Sequence, residues 1–272
     1  MATPDDHPDR DLPAFSRRLY GWFMWYVRRY FRRHFHALRL LAAPDGSGGH
    51  PDIRGEPVFF YTNHPGWWDP LVFLLVADTL YPHRLNYGPI DVRALGKYRF
   101  MERIGFLGID PASWQGAARF LRLAKAASRR TDVIFWITSQ GEFTDPRARP
   151  VRLRPGVGHA VAASGRGLVV PVAVEYPYWN ERLPEAVLAF GPAMRIADAG
   201  GRSAREWADV LENALAATQD RLAAAAVRRD PALFRRLASG QVGVGWAYDS
   251  LRRFAAWRRG EPFDASHGGE RH

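Results

Sequence analysis

Short apolar runs alternate along this chain with longer amphipathic stretches. Val58-Phe59-Phe60-Tyr61-Thr62 carries no charge and lies between Pro57 and Asn63, which predicts a short strand covered on both faces. Similar runs predict strands at 85–89, 104–109, 133–137, 168–175 and 187–191. Helical periodicity predicts helices at 70–80, 91–101, 114–130, 156–164 and 204–229. Pro70 suits the first position of its helix, and the last helix is alanine-rich with a polar start. Strands separated by helices imply an α/β fold whose largely parallel sheet is flanked by helices. No fixed-period repeat interrupts this order.

Residues 12–43 follow another pattern. At ~100° per residue, Leu19, Phe23, Tyr26, Val27, Tyr30, Leu38 and Leu41 collect on one side. Arg17, Arg28, Arg32 and Arg39 collect opposite. A basic, aromatic-rich helix of this kind lies in a membrane interface, with its apolar side in the acyl boundary and its arginines on anionic headgroups. The competing expectation is a helix that packs its aromatic side on the domain. Trp22 and Trp25, outside the apolar centre, favour the membrane. The longest uncharged run, Leu19 to Val27, has nine residues, against the ~20 that a spanning helix needs. The expected organisation is therefore an interfacial helix over 1–43, a Pro/Gly linker over 44–57, an α/β domain over 58–260 and a loose tail over 261–272. Residues 1–11 also read as loose.

Charge sharpens this picture. The formal net charge is +10, and seven arginines with no acidic residue lie between residues 12 and 43. That places the expected contact on the cytoplasmic face of the cell membrane, as a peripheral protein, and gives no zinc-finger or RNA-recognition signature for a nucleic-acid partner. A second aromatic and basic stretch, 246–259, reads as a packing helix. Cysteine is absent, which removes disulfides, thiolate zinc sites and a thiol nucleophile. There is no H-E-x-x-H pair, Walker A loop or G-x-S-x-G elbow, so no metal or bound cofactor is expected.

Candidate chemistry is concentrated just after the first predicted strand of the domain. Asn63-His64-Pro65-Gly66-Trp67-Trp68-Asp69-Pro70 puts a histidine five residues before a carboxylate at a strand-to-helix corner. A neutral imidazole there can take a proton from an alcohol that attacks a thioester. A carboxylate on its other nitrogen would fix the tautomer and stabilise the imidazolium. Asp69 before Pro70 also suits an ordinary helix N-cap, and the two roles are compatible.

In this setting the motif resembles the N-H-x-x-x-x-D block of the glycerolipid acyltransferase family, which contains the 1-acylglycerol-3-phosphate acyltransferases. Gly105-Phe106-Leu107-Gly108-Ile109-Asp110-Pro111 resembles the second block, G-x-x-x-I-D-R. Phe135-Trp136-Ile137-Thr138-Ser139-Gln140-Gly141-Glu142 stands where the third block, F-P-E-G-T-R, should follow a buried strand. Arg154-Pro155-Gly156 resembles the basic-Gly step beyond it, and Val170-Pro171-Val172-Ala173-Val174 the fourth block. The resemblance covers roughly Val58 to Tyr176. It implies that His64 is the base, Asp69 its orienter, and that Asn63, Gln140, Gly141, Glu142, Arg103 and Arg154 contact substrate.

Departures from the family pattern bear on the acceptor. Pro111 replaces the arginine of the second block, while Gln140, Glu142 and Phe143 replace the Glu, Thr and Arg of the third. Neither proline nor phenylalanine replaces an arginine's bidentate grip on phosphate. Arg103, Arg147, Arg149, Arg152 and Arg154 could rebuild that grip from other positions. The expected function is transfer of a fatty acyl group from an acyl-carrier-protein or coenzyme A thioester to a hydroxyl of a lipid or glycolipid. Acylation of lysophosphatidic acid is the alternative, and thioester hydrolysis by the same pair a further one. A basic protein that binds membrane or nucleic acid without catalysis is the remaining class.

Overall fold

The computed structural model describes residues 12–43, 48–96, 98–241 and 258. The expected loose ends lie outside these residues, as does the 246–259 stretch apart from Arg258. The elements run α1 (Arg17–His34), β1 (Ala37–Leu41), β2 (Val58–Thr62), α2 (Asp69–Leu80), β3 (Leu85–Asp91), α3 (Val92–Leu95), β4 (Phe106–Ile109), α4 (Trp114–Ala127) and β5 (Val133–Thr138). They continue with α5 (Pro155–Ser164), β6 (Leu168–Glu175), β7 (Glu185–Phe190), β8 (Met194–Arg195), α6 (Ala204–Val227) and β9 (Phe234–Ser239). Among the described residues no helix is long and apolar enough to cross a membrane.

Among the described residues nine strands form one mostly parallel sheet in the order β4-β3-β5-β2-β6-β7-β1-β9, with β8 paired to β6. From β4 to β6 neighbouring strands on this path are parallel, because each is reached by a crossover. β7 turns back antiparallel on β6, and β9 antiparallel on β1. Alternate side chains of the central strands enter different cores. Phe60 and Trp136 join α1 and α2 on one face. Phe59, Tyr61 and Phe135 pack on the other face, with the core residues of α4, α5 and α6.

The N-terminal segment departs from expectation. α1 ends at His34, and residues 37–41 leave it to form β1, parallel to β7. All five residues of β1 are buried between two strands and two packed faces, so Leu38 and Leu41 are sheet residues rather than part of a helical stripe. Arg39, assigned by periodicity to a solvated face, is buried and bonds Glu185 through Nε at 2.9 Å. The apolar side of α1 is also core, with Phe23, Met24, Val27 and Phe31 buried against the sheet. Residues 12–43 are therefore not a separate interfacial unit, because α1 and β1 belong to the domain. An apolar run ending in Leu-Arg-Leu-Leu fits helix and strand equally, and pairing with β7 and β9 decides between them.

Smaller differences lie between β3 and β4. The helix expected over 91–101 is a single turn, α3, capped by Asp91, followed by a 3₁₀ turn over Arg99–Ile104. Gly105 stops that turn at φ 100°, where an added Cβ would sit 1.8 Å from the Asn86 carbonyl, so β4 starts only at Phe106.

Removing residues 1–43 should unfold the domain, since it deletes a strand paired on both sides and four buried helix residues. Phe31→Ala alone should cost about 3–5 kcal/mol, read from urea denaturation of the full chain. A truncated protein that melts cooperatively at the full-length temperature would contradict this assignment.

Candidate active site

The carboxyl ends of parallel strands β2, β5 and β6 lie side by side, with Thr62 opposite both Thr138 and Val172. The chain leaving each strand passes over that edge, the usual ligand-binding side of such sheets. Residues 63–68 follow β2, residues 139–154 follow β5, and Tyr176 follows β6. Backbone and side-chain bonds tie the three together. Ser139 donates from both N and Oγ to the Thr62 carbonyl, at 3.0 and 2.7 Å. Asn63 is fully buried and bonds the amide and carbonyl of Val174 in both directions at 2.9 Å. Its side chain is therefore a strut across the β2–β6 seam.

On this frame His64 Nδ1 meets Asp69 Oδ2 at 2.6 Å. Asp69 begins α2 with no exposed surface, so its carboxylate depends on protein donors. The Gly66 amide reaches Oδ2 at 3.2 Å, and the Tyr176 hydroxyl reaches Oδ1 at 2.5 Å. Burial, the Asp69 charge and this hydrogen bond all push the Tyr176 hydroxyl well above the ordinary phenol range, so it stays protonated and donates. With Nδ1–H given to Asp69, Nε2 holds the imidazole lone pair. The expected N-cap role of Asp69 is replaced: it is the first residue of α2, and its side chain serves the histidine instead of the helix amides.

The loop after β5 supplies the other side. The His64 amide donates to Gln140 Oε1 at 2.9 Å, and the Thr144 amide donates to the His64 carbonyl at 2.9 Å. Gly141 adopts φ 71° beneath the Arg154 side chain, where an added Cβ would come within 2.7 Å of Nε. Sequence therefore brings His64, Asp69, Gln140, Gly141 and Arg154 together. Glu142 is exposed on the same loop. Arg103 is exposed on the 3₁₀ turn before β4, and no hydrogen bond links its side chain to the pair. Three of the five expected arginines are already engaged: Arg147 with Asp145, Arg149 with Asp220 and Arg152 with Glu212. Arg154 has no carboxylate partner among the described residues.

Two contributors escaped the sequence reading. Tyr176 stands just past the β6 run and before Pro177, so it leaves the sheet at the same edge as His64; that position was the available signal. Phe143, read only as a lost arginine, is 62% exposed with its ring 4.6 Å from the His64 ring. Beside the pair an apolar cleft runs between α2 and strands β3 to β5, with Phe73, Leu74, Ile90, Ile104, Phe106 and Trp136 in its walls. Pro70 and Thr138, which adjoin Asp69 and the Gln140 loop, mark its near end. No protein-family model matches the chain, and no curated protein matches it either.

Glu175, the last residue of β6, has Oε1 buried without a hydrogen-bond partner among the described residues. Burial raises its carboxyl above the usual range, opposed by Arg147 and Arg149 and reinforced by Asp145. The folded state thus holds this proton more tightly than the unfolded chain, so stability falls as pH rises from the unfolded value through the raised folded one. Glu175→Gln should raise the melting temperature at pH 8 and change it little at pH 4. An equal shift at both values would assign the effect to something other than this proton.

Proposed function

We propose that the chain is an O-acyltransferase that works at a membrane surface, moving a fatty acyl group from an acyl-carrier-protein or coenzyme A thioester to a hydroxyl of a lipid or glycolipid. The observation that carries this reading is the 2.6 Å His64–Asp69 pair, next in sequence to Pro70, which lines an apolar cleft. Acyl transfer needs a base next to a place for hydrocarbon, and both occur at one sheet edge. The four sequence blocks that resemble the glycerolipid acyltransferases support it from a separate direction.

In this mechanism His64 Nε2 takes the proton of the acceptor hydroxyl as its oxygen bonds to the thioester carbonyl carbon. The tetrahedral oxyanion then collapses, the carbon–sulfur bond breaks, and the imidazolium gives its proton to the departing thiolate. Asp69 steadies the imidazolium and Tyr176 holds Asp69. The oxyanion needs a donor, and three backbone amides around the pair are already engaged: His64 to Gln140, Gly66 to Asp69 and Gly141 to the Thr138 carbonyl. Gln140 is different. Its oxygen is held by the His64 amide, which leaves Nε2 without a protein acceptor among the described residues. This amide is the donor we assign to the oxyanion or to the incoming hydroxyl.

Lysophosphatidic acid is the second reading, favoured by Arg154, whose guanidinium has no carboxylate partner among the described residues and lies across Gly141. Against it, Phe143 rather than an arginine lies against His64, Glu142 adds negative charge, and three neighbouring arginines are paired. A neutral, hydroxyl-bearing lipid is therefore the preferred acceptor.

His64→Ala should lower turnover by roughly 10²–10⁴ while the melting temperature stays near wild type. Gln140→Glu keeps the acceptor for the His64 amide but removes the donor, and should lower kcat by roughly 10²–10³ with little change in KM. Wild-type turnover in His64→Ala would end the mechanism. In direct competition for one acyl thioester, a glycosylated isoprenoid should outcompete lysophosphatidic acid; the reverse order would establish the phosphate reading.

A further inference from the structure

Two faces of α1 carry aromatic side chains, and the fold uses only one of them. Phe23, Met24, Val27 and Phe31 are in the core. Trp22 and Trp25 are 58% and 61% exposed on the opposite side. At ~100° per residue they share that side with Arg18, Arg29, Arg32 and Arg33, all exposed. Arg17 and Arg28 are tied into the fold by the His83 carbonyl and Asp78. The other four make no ion pair among the described residues, and α1 contains no acidic residue.

Leaving two tryptophans in water has no benefit to folding. Indole rings interleaved with unpaired guanidinium groups suit the headgroup region of a bilayer, where the ring is half-solvated and the cation meets lipid phosphate. The neighbouring turn also carries exposed aromatics: Phe100 meets the core residue Phe23 at 6.1 Å and Tyr98 at 6.4 Å, and both Tyr98 and Phe100 are exposed. Arg99 and Arg103 flank Glu102 there, adding one net positive charge. The next residues, Ile104, Gly105 and Phe106, line the apolar cleft.

We propose that the outward face of α1, centred on Trp22 and Trp25 and flanked by Arg18, Arg29, Arg32 and Arg33, docks the protein on an anionic lipid bilayer. This face is the reverse of the one that periodicity alone assigns to the membrane. This docking does not depend on the acyl-transfer reading.

Co-sedimentation of the full chain with vesicles tests this, using phosphatidylglycerol–phosphatidylcholine mixtures against phosphatidylcholine alone. Wild type should pellet with the anionic vesicles, less so at 0.5 M salt. Trp22→Ala/Trp25→Ala should bind at least tenfold more weakly at an unchanged melting temperature, and Arg18→Gln/Arg29→Gln/Arg33→Gln should lose the preference for anionic lipid. His64→Ala should bind as wild type does. Unchanged binding by the tryptophan variant would overturn the docking face, as would wild-type protein that ignores vesicles and binds duplex DNA or RNA instead. Normal binding by the tryptophan variant alongside a dead His64→Ala would leave acyl transfer standing, whereas weakened binding alongside an active His64→Ala would overturn acyl transfer alone.

Discussion

A carboxylate with no exposed surface must be met by donors, and Asp69 organises this molecule around that requirement. Its two oxygens collect His64 and Gly66 from the β2–α2 corner and Tyr176 from the end of β6. Those donors come from strands adjacent in the sheet but more than a hundred residues apart in sequence. Removing the buried Tyr176 hydroxyl would leave this charge short of a partner, at a cost of several kcal/mol, whereas solvent can take the place of the partly exposed His64 ring. The corner is thus rigid because the charge is buried, and a rigid corner holds an imidazole in one tautomer.

The surrounding frame is polar where it meets this edge and apolar elsewhere. Asn63, Ser139 and the His64 amide fasten β2 to β6 and β5 through bonds that rigid parallel strands can aim. Below them Trp136 stacks on Phe73 and meets Phe60 at a tilt, and all but Phe60 line the cleft. A preorganised base and an apolar space are therefore products of one arrangement of strands.

Much of this was legible in the sequence, for stated physical reasons. The apolar runs at 58–62 and 168–175 coincide with β2 and β6, because strands buried on both faces have few alternatives. Helices α2, α4, α5 and α6 begin within one residue of their predicted starts, marked by Pro70, Ser113, Pro155 and Ser203. The His64–Asp69 spacing also translated directly, being local. What failed was nonlocal. β1 and β9 exist because they pair with each other and with β7, and Arg39 is tolerated in the core only because Glu185 arrives from β7. Tyr176 joins the site through a contact across 107 positions, for which its place at the end of the β6 run was the one local signal.

The central claim is that the buried pair transfers an acyl group and does not merely release it. A thioester carrying a labelled acyl chain, incubated with the protein and vesicles with or without a hydroxyl-bearing lipid, measures this directly. The account predicts label in a new lipid ester, in one-to-one proportion to thiol released, with thiol release falling sharply when the acceptor is omitted. Label recovered as free fatty acid at the same rate whether or not acceptor is present would contradict it.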